Sequence, residues 1–142
     1  MGEMIQADLA KVGINVKLVS YEWGEYRKRM QAGEHWMGFL GWTGDNGDPD
    51  NFLAVLFDGL ASESIRSQFK NERYHELMGL GKRTLDQAKR GEIYKEAQQV
   101  LFDEVGVIPV AHSTVIWPMT KNVQNFKLHP TASIYMKNVW LD

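Results

Sequence analysis

The chain has 142 residues, of which 44% are hydrophobic and 11% aromatic, and its formal net charge is −2. This length and composition match one ordinary domain with a packed core. A nearly neutral chain does not favour nucleic-acid binding, which normally needs a clustered basic surface, and we expect no such partner. The absence of cysteine from the sequence excludes disulfides and thiolate metal sites.

The N-terminal residues show helical periodicity without a signal-peptide pattern or a linker before it. No apolar run in the sequence reaches the length of a membrane-spanning helix. Because the helical pattern starts at once, we expect the chain to be a piece of a longer protein.

Residues 1–42 alternate between helical and strand patterns. The first helix is followed by residues 14–19, in which apolar and polar side chains alternate as in a strand. A second helix is predicted next, with Ser20 as its N-cap. Residues 35–42, HWMGFLGW, are almost wholly apolar and predict a strand buried on both faces, as in a parallel sheet covered by helices. The order strand, helix, strand predicts an α/β fold with a right-handed βαβ unit.

The middle of the chain is predicted to be helical. Residues 52–57 predict a short apolar helix, and residues 58–72 a polar surface loop. Asn71 is the predicted cap of a helix that carries Tyr74, Leu77 and Met78. Thr84 and Gln87 form a T-x-x-Q capping box ahead of another helix. The apolar face of that last helix consists of Ile93, Ala97, Val100 and Leu101.

The C-terminal part is rich in β-forming residues. Residues 107–120 are interrupted by two prolines, which predicts an edge or crossing segment. One or two short strands are expected in the tail that follows.

The most unusual stretch of the chain is GWTGDNGDPDN, residues 41–51, which leaves the carboxyl end of the predicted buried strand. In open α/β sheets ligands bind at that end of a strand. Asp48 at the N-cap, Pro49 at the first helical position and Asp50 in the first turn explain two of its three carboxylates.

Asp45 lies too early in the sequence to cap that helix. Its side chain can tighten the loop in an Asx-turn. Alternatively, it is a carboxylate held at a strand end for a ligand ammonium group, a guanidinium group or a metal ion. The residues alone leave both interpretations open.

Metal binding and catalysis have little support in the sequence. The spacing DNGDPDN does not match an EF-hand loop, and the four histidines have no metal-type spacing. We therefore predict no metal site, no cofactor and no catalytic residue. Two alternatives are retained: a carboxylate-dependent hydrolase that uses Asp45 with Asp48 or His35, and a calcium-binding module on the loop of residues 45–50.

The run GWTGDNGDPDNFLAVLF resembles, almost residue for residue, a segment of bacterial periplasmic dipeptide- and oligopeptide-binding proteins, the family 5 receptors that serve ABC importers. The similarity continues into QADLAKVGINVKL before it and into YKEAQQVLFDEVGVIPVAHSTVIWPMTKNVQNF after it. The resemblance implies that this chain is the C-terminal part of a two-lobed receptor, which binds peptides and catalyses nothing. We expect the chain alone not to be ligand-competent.

The resemblance also implies the roles of individual residues. Asp45 matches the aspartate that pairs with the α-ammonium group of a bound peptide. Gly41, Trp42 and Thr43, followed by Gly44, match the extended segment whose backbone lines the peptide.

The resemblance divides the chain into two parts. Residues 1–112 would belong to the second lobe, and residues 113–142 would form a tail that returns to the first lobe. It further implies a membrane permease as partner, haem as a ligand of some relatives, and a periplasmic or lipid-anchored extracytoplasmic location.

Overall fold

The computed structural model describes residues 1–61 and 67–142 of the chain. In this part the two strands pair antiparallel, with Val123 opposite Leu141 and Gln124 opposite Trp140. In chain order the elements are α1 (Gly2–Lys11), α2 (Trp23–Ala32), α3 (Asp50–Phe57), α4 (Glu72–Arg83), α5 (Gln87–Asp103), β1 (Val123–Gln124) and β2 (Trp140–Leu141).

The hydrophobic core lies between α4 and α5, and α3 packs against α4. Each helix presents apolar residues at helical spacing, so that one face of each can be buried. The prediction of α4 is confirmed: Asn71 Oδ1 accepts a hydrogen bond from the backbone N of Tyr74 at 2.9 Å. The buried residues of the cluster are Tyr74, Leu77, Met78, Tyr94, Ala97 and Leu101, with Leu53, Ala54, Phe57, Phe69, Ile93, Val100 and Val107 packed around them.

Gly81 allows α4 and α5 to pack closely. A Cβ atom at this position would lie 2.7 Å from Cε1 and Cζ of Tyr94, which is closer than carbon atoms can approach. The backbone O of Gly81 also accepts a hydrogen bond from Arg90 Nε at 2.9 Å. The missing side chain of Gly81 therefore makes room for a neighbouring helix.

The two strands predicted for the βαβ unit do not form in the described residues. Residues 14–19 and 35–42 lie outside helices and strands, and Trp36, Met37 and Phe39 are exposed rather than buried. A strand needs a partner for its backbone N–H and C=O groups, and the ladder in this part of the chain joins β1 to β2. Residues 35–42 instead contact α2, because Tyr26 Oη hydrogen-bonds both the N and the O of Phe39 at 2.8 Å.

Two predicted N-caps, Ser20 and Thr84, are wrong, because a nearby carboxylate side chain caps each of these helices instead. Helix α2 begins after Glu22, not Ser20, and the Glu22 side chain accepts from the backbone N of Gly24 at 2.8 Å. That hydrogen bond lowers the pKa of Glu22. Helix α5 is capped by Asp86, which accepts from the backbone N of Lys89. Thr84 ends α4, and its Oγ1 donates to the O of Leu80 at 2.8 Å.

The segment after α3 lies partly outside the described residues, since the predicted loop of residues 58–72 includes 62–66. Asp58, at its start, is buried and accepts from His75 Nδ1 at 2.9 Å. Asp58 Oδ1 also accepts from the backbone N of Leu60 at 3.4 Å. This part of the loop is therefore attached to α4 through the contact between the buried Asp58 carboxylate and His75.

The remainder of the chain is largely exposed. Residues 107–120 form no regular element, whereas the short strands predicted for the tail are present as β1 and β2. The accessible surface is 11156 Å², compared with about 7,500 Å² for a compact monomer of this mass. Among the described residues, no helix combines the length and the hydropathy that a membrane crossing requires.

Candidate functional site

Residues 41–51, which we call the Asp45 loop, follow residues 35–40 and include the first two residues of helix α3. The end of the loop agrees with the prediction in part: Pro49 has helical backbone angles (φ −57°, ψ −30°) and Asp48 Oδ1 accepts from the backbone N of Asp50 at 3.0 Å, but Pro49 and not Asp48 takes the N-cap position. The assigned helix begins one residue later than predicted, at Asp50.

Asp48 also forms a bidentate ion pair with Arg90 of α5. Arg90 Nη1 lies 2.6 Å from Asp48 Oδ2, and Nη2 lies 2.8 Å from Asp48 Oδ1. Arg90 Nη2 additionally donates to Tyr94 Oη at 2.9 Å. The hydrogen bonds from Arg90 lower the pKa of Asp48, so its carboxylate is ionised and already paired. The sequence contains no local sign of this pair, because 42 positions separate the two residues.

Asp50 faces a second cation. Lys82 Nζ of α4 lies 4.0 Å from Asp50 Oδ2, and both side chains are partly exposed. A contact of this length in solvent is weak. It nevertheless shows that α4 and α5 each direct a basic side chain toward the start of α3.

Asp45 is held by a neutral side chain. Asn51 Oδ1 accepts from the backbone N of Asp45 at 3.1 Å, and Asn51 Nδ2 lies 3.4 Å from Asp45 Oδ2. The same Oδ1 accepts from Trp42 Nε1 at 3.0 Å. Across the described residues Asp45 forms no ion pair, and it is exposed. Its carboxylate therefore faces solvent with its charge uncompensated by a neighbouring cation.

The backbone before Asp45 is open on one side and covered on the other. Gly41 and Thr43 make no hydrogen bond within the described part of the chain, and a Cβ atom on Gly41 would meet no atom within 4 Å. Gly44 is buried, and a Cβ atom there would lie 2.5 Å from Cε2 of Phe52. The loop thus packs on α3 through Gly44, while the backbone groups of Gly41 and Thr43 stay accessible.

Thr43 borders a cleft between the Asp45 loop and the C-terminal tail. The cleft has a volume of about 270 Å³ and its walls are mostly apolar. Its other lining residues are Val115, Trp117, Leu128, His129, Pro130 and Ala132.

The geometry does not assemble the two retained alternatives. Asp48 is occupied by Arg90, and His35 Nδ1 is buried without a hydrogen-bond partner among the described residues, so no group orients that imidazole as a base. Within residues 1–61 and 67–142, no cluster of three or more His, Asp or Glu side chains could hold a metal ion. Two of the three loop carboxylates instead face Arg90 and Lys82.

Comparison with known proteins places this geometry in context. Residues 1–64 match the family model of "Bacterial extracellular solute-binding proteins, family 5 Middle". The chain is 52% identical over 132 residues to a dipeptide-binding protein of Pseudomonas aeruginosa, a match that covers 92% of this chain and 25% of the relative. It is 38% identical over 131 residues to heme-binding protein A of Haemophilus influenzae, covering 92% of this chain and 24% of that protein.

A solved structure shows the same fold. The ABC transporter-associated periplasmic binding protein DppA from Helicobacter pylori, in complex with the peptide STSA, superposes with a TM-score of 0.86 at 35% identity. The superposition covers 99% of this chain and 28% of that one. The chain therefore spans about a quarter of the length of the relatives that it matches.

Proposed function

The chain belongs to family 5 of the bacterial extracellular solute-binding proteins, and on that premise we propose that it is part of a peptide-binding receptor of an ABC importer. Proteins of this family bind solutes and are not enzymes. The names of the relatives, which bind dipeptides or a peptide, favour peptide as the ligand.

One observation carries the proposal to the level of residues. Three aspartates lie in the Asp45 loop. Two of them face basic side chains: Asp48 pairs with Arg90, and Asp50 lies near Lys82. Asp45 is left exposed and is held by the neutral amide of Asn51. We assign Asp45 to the α-ammonium group of the peptide, because an ion pair with a charge-assisted hydrogen bond is stronger than a neutral one.

The backbone of Gly41, Trp42 and Thr43 is assigned to line the peptide. An extended ligand pairs through its main chain, which gives affinity without a preference for particular side chains. The free backbone groups of Gly41 and Thr43 support this assignment, as does the absence of a side chain on Gly41. Gly44 serves the site by allowing the loop to lie on Phe52.

The remaining receptor would complete the fold and the site. The large accessible surface, and the exposed apolar residues of segments 14–19 and 35–42, support a chain that is covered by further parts of a longer protein. We assign residues 1–112 to the second lobe and residues 113–142 to a tail that returns to the first lobe. A ligand enclosed by two lobes would lose many of its contacts in this chain alone, so we expect the isolated chain to bind peptide poorly.

The family also suggests where the receptor works and with what. We place it outside the cytoplasmic membrane, in the periplasm or attached by a lipid, where it would deliver peptide to a membrane permease. Haem remains a second ligand class for this family, because one relative is named a heme-binding protein. The exposed carboxylate of Asp45 favours a ligand with an ammonium group.

The test is calorimetric titration of the full-length receptor with alanyl-leucine. Asp45→Asn should weaken binding by about 100-fold or more, because the ammonium group loses its counter-charge at nearly constant side-chain shape.

Asp50→Asn is the matched control, since it removes one charge from the same loop. It should change the affinity by less than about threefold, as Asp50 is near Lys82 and is not assigned to the ligand. Equal affinities of Asp45→Asn and the wild type would refute the assignment of Asp45.

A further inference from the structure

Asn51 joins both ends of the turn that carries Asp45. It lies in the first turn of α3, and its single amide contacts Trp42 Nε1, the backbone N of Asp45 and the Asp45 carboxylate. Two of these contacts, at 3.0 and 3.1 Å, converge on Oδ1. One side chain thus controls the positions of an aromatic ring and a carboxylate that flank the open backbone of Thr43.

The contacts determine which way the amide points. Both groups that meet Oδ1 are donors, and only the carbonyl oxygen of an amide can accept from them. Nδ2 must therefore face Asp45 Oδ2, at 3.4 Å. This longer contact orients the carboxylate with a neutral donor and does not compensate its charge.

The contrast with Asp48 shows why neutrality matters. Asp48 receives two short hydrogen bonds from the Arg90 guanidinium group, and this cation compensates the charge of Asp48 within the protein. A cation in the place of Asn51 would do the same to Asp45. An amide instead holds Asp45 in place and leaves its charge for a cationic ligand.

Asn51 is itself on a well-supported element. Its backbone N donates to the O of Asp48 at 3.2 Å, and Asp48 is fixed to α5 through Arg90. A group that orients a binding residue is effective when a rigid helix supports it. The connection therefore runs from α5 through Asp48 to Asn51 and then to Asp45.

We propose that Asn51 is a positioning residue for ligand binding, which sets the Asp45 carboxylate to receive an ammonium group. The inference rests on the proposed function, because it assumes that Asp45 contacts the ligand. Asn51 would act through Asp45 and would not touch the peptide.

The test is a double-mutant cycle in the full-length receptor, titrated with alanyl-leucine at pH 7. Asn51→Ala should weaken binding about tenfold in the wild type. In the Asp45→Asn background the same change should weaken it by less than about twofold, because the group that Asn51 positions is already lost. A tenfold loss in both backgrounds would show a general structural role and overturn the proposal, as would an unchanged affinity of Asn51→Ala.

The cycle separates this inference from the proposed function. Normal binding by Asp45→Asn would refute the assignment of Asp45 in the proposed function, and this inference with it. Impaired binding by Asp45→Asn with normal binding by Asn51→Ala would sink only the inference. Asn46→Ala is the control, because Asn46 Oδ1 accepts from the backbone N of Asp48 in the same loop, and in the described part of the chain its side chain makes no hydrogen bond to the Asp45 carboxylate. It should change the affinity by less than about twofold.

A second variant covers the case in which Asn51→Ala does not fold. Asn51→Asp retains an acceptor for Trp42 and for the backbone of Asp45, and it places a second carboxylate beside Asp45. Two adjacent carboxylates raise the pKa of one of them. The affinity of Asn51→Asp for the peptide should therefore fall as the pH is lowered from 7 to 5, because one carboxylate takes up a proton. The peptide ammonium group stays protonated throughout this range. The wild type should vary less than about twofold, and parallel pH profiles would overturn the proposal.

Discussion

Helices α3–α5 differ from residues 35–42 and 107–120, which form no helix or strand, in where their apolar side chains lie. In the helices Tyr74 and Leu77 are each 1% exposed, whereas Trp36 is fully exposed and Ile116 is 80% exposed. A helix makes its backbone hydrogen bonds within itself and can pack on its sequence neighbours. An extended segment needs a partner strand from elsewhere. The helices therefore bury apolar side chains against one another, and these segments leave theirs exposed.

Truncating a buried side chain should destabilise this chain far more than truncating an exposed one. Leu77→Ala should lower the free energy of unfolding of this chain by about 3 kcal/mol, because it leaves a cavity among fully buried neighbours. Ile116→Ala should change it by less than about 0.5 kcal/mol, because Ile116 is exposed. Urea titrations of both variants measure these values, and similar losses would contradict the comparison.

Two glycines of α4 should respond differently to the same substitution. Gly81→Ala should lower the free energy of unfolding by about 1–3 kcal/mol, since its Cβ atom would overlap the Tyr94 ring. Gly79→Ala should raise it by up to about 1 kcal/mol through helix propensity, because among the described residues its Cβ atom would meet only Arg83 Nη2, at 3.6 Å. Thermal unfolding measures both changes. If Gly81→Ala stabilised the chain as much as Gly79→Ala, α4 and α5 would not pack as closely as described.

The elements that could be predicted from the sequence are those stabilised by nearby residues. The apolar faces of α4 and α5 and the Asn71 cap depend on residues three or four positions apart, and they are confirmed. Segments 14–19 and 35–42 carry strand-like patterns, but a pattern does not supply the pairing strand. The caps by Glu22 and Asp86 were missed because several polar residues near each helix start compete for the same backbone groups.

The candidate site could be located from the sequence, but its supporting contacts could not. The sequence already predicts different roles for Asp48 and Asp45. The structure gives the reason, because Asp48 contacts the cation Arg90 and Asp45 contacts the neutral side chain of Asn51. Arg90 comes from a helix distant in sequence, so no local spacing indicates it. Asn51 lies inside the motif, and an Asn in the first turn after a tight loop is a signal that could have been used.

We infer that Asp45 binds the ammonium group of a peptide. The most direct measurement titrates the full-length receptor and its Asp45→Asn variant with alanyl-leucine and with N-acetyl-alanyl-leucine. We predict that acetylation weakens binding to the wild type by about 100-fold, because it removes the ligand's positive charge, and to Asp45→Asn by less than about threefold. An equal loss on acetylation in both proteins would contradict the claim.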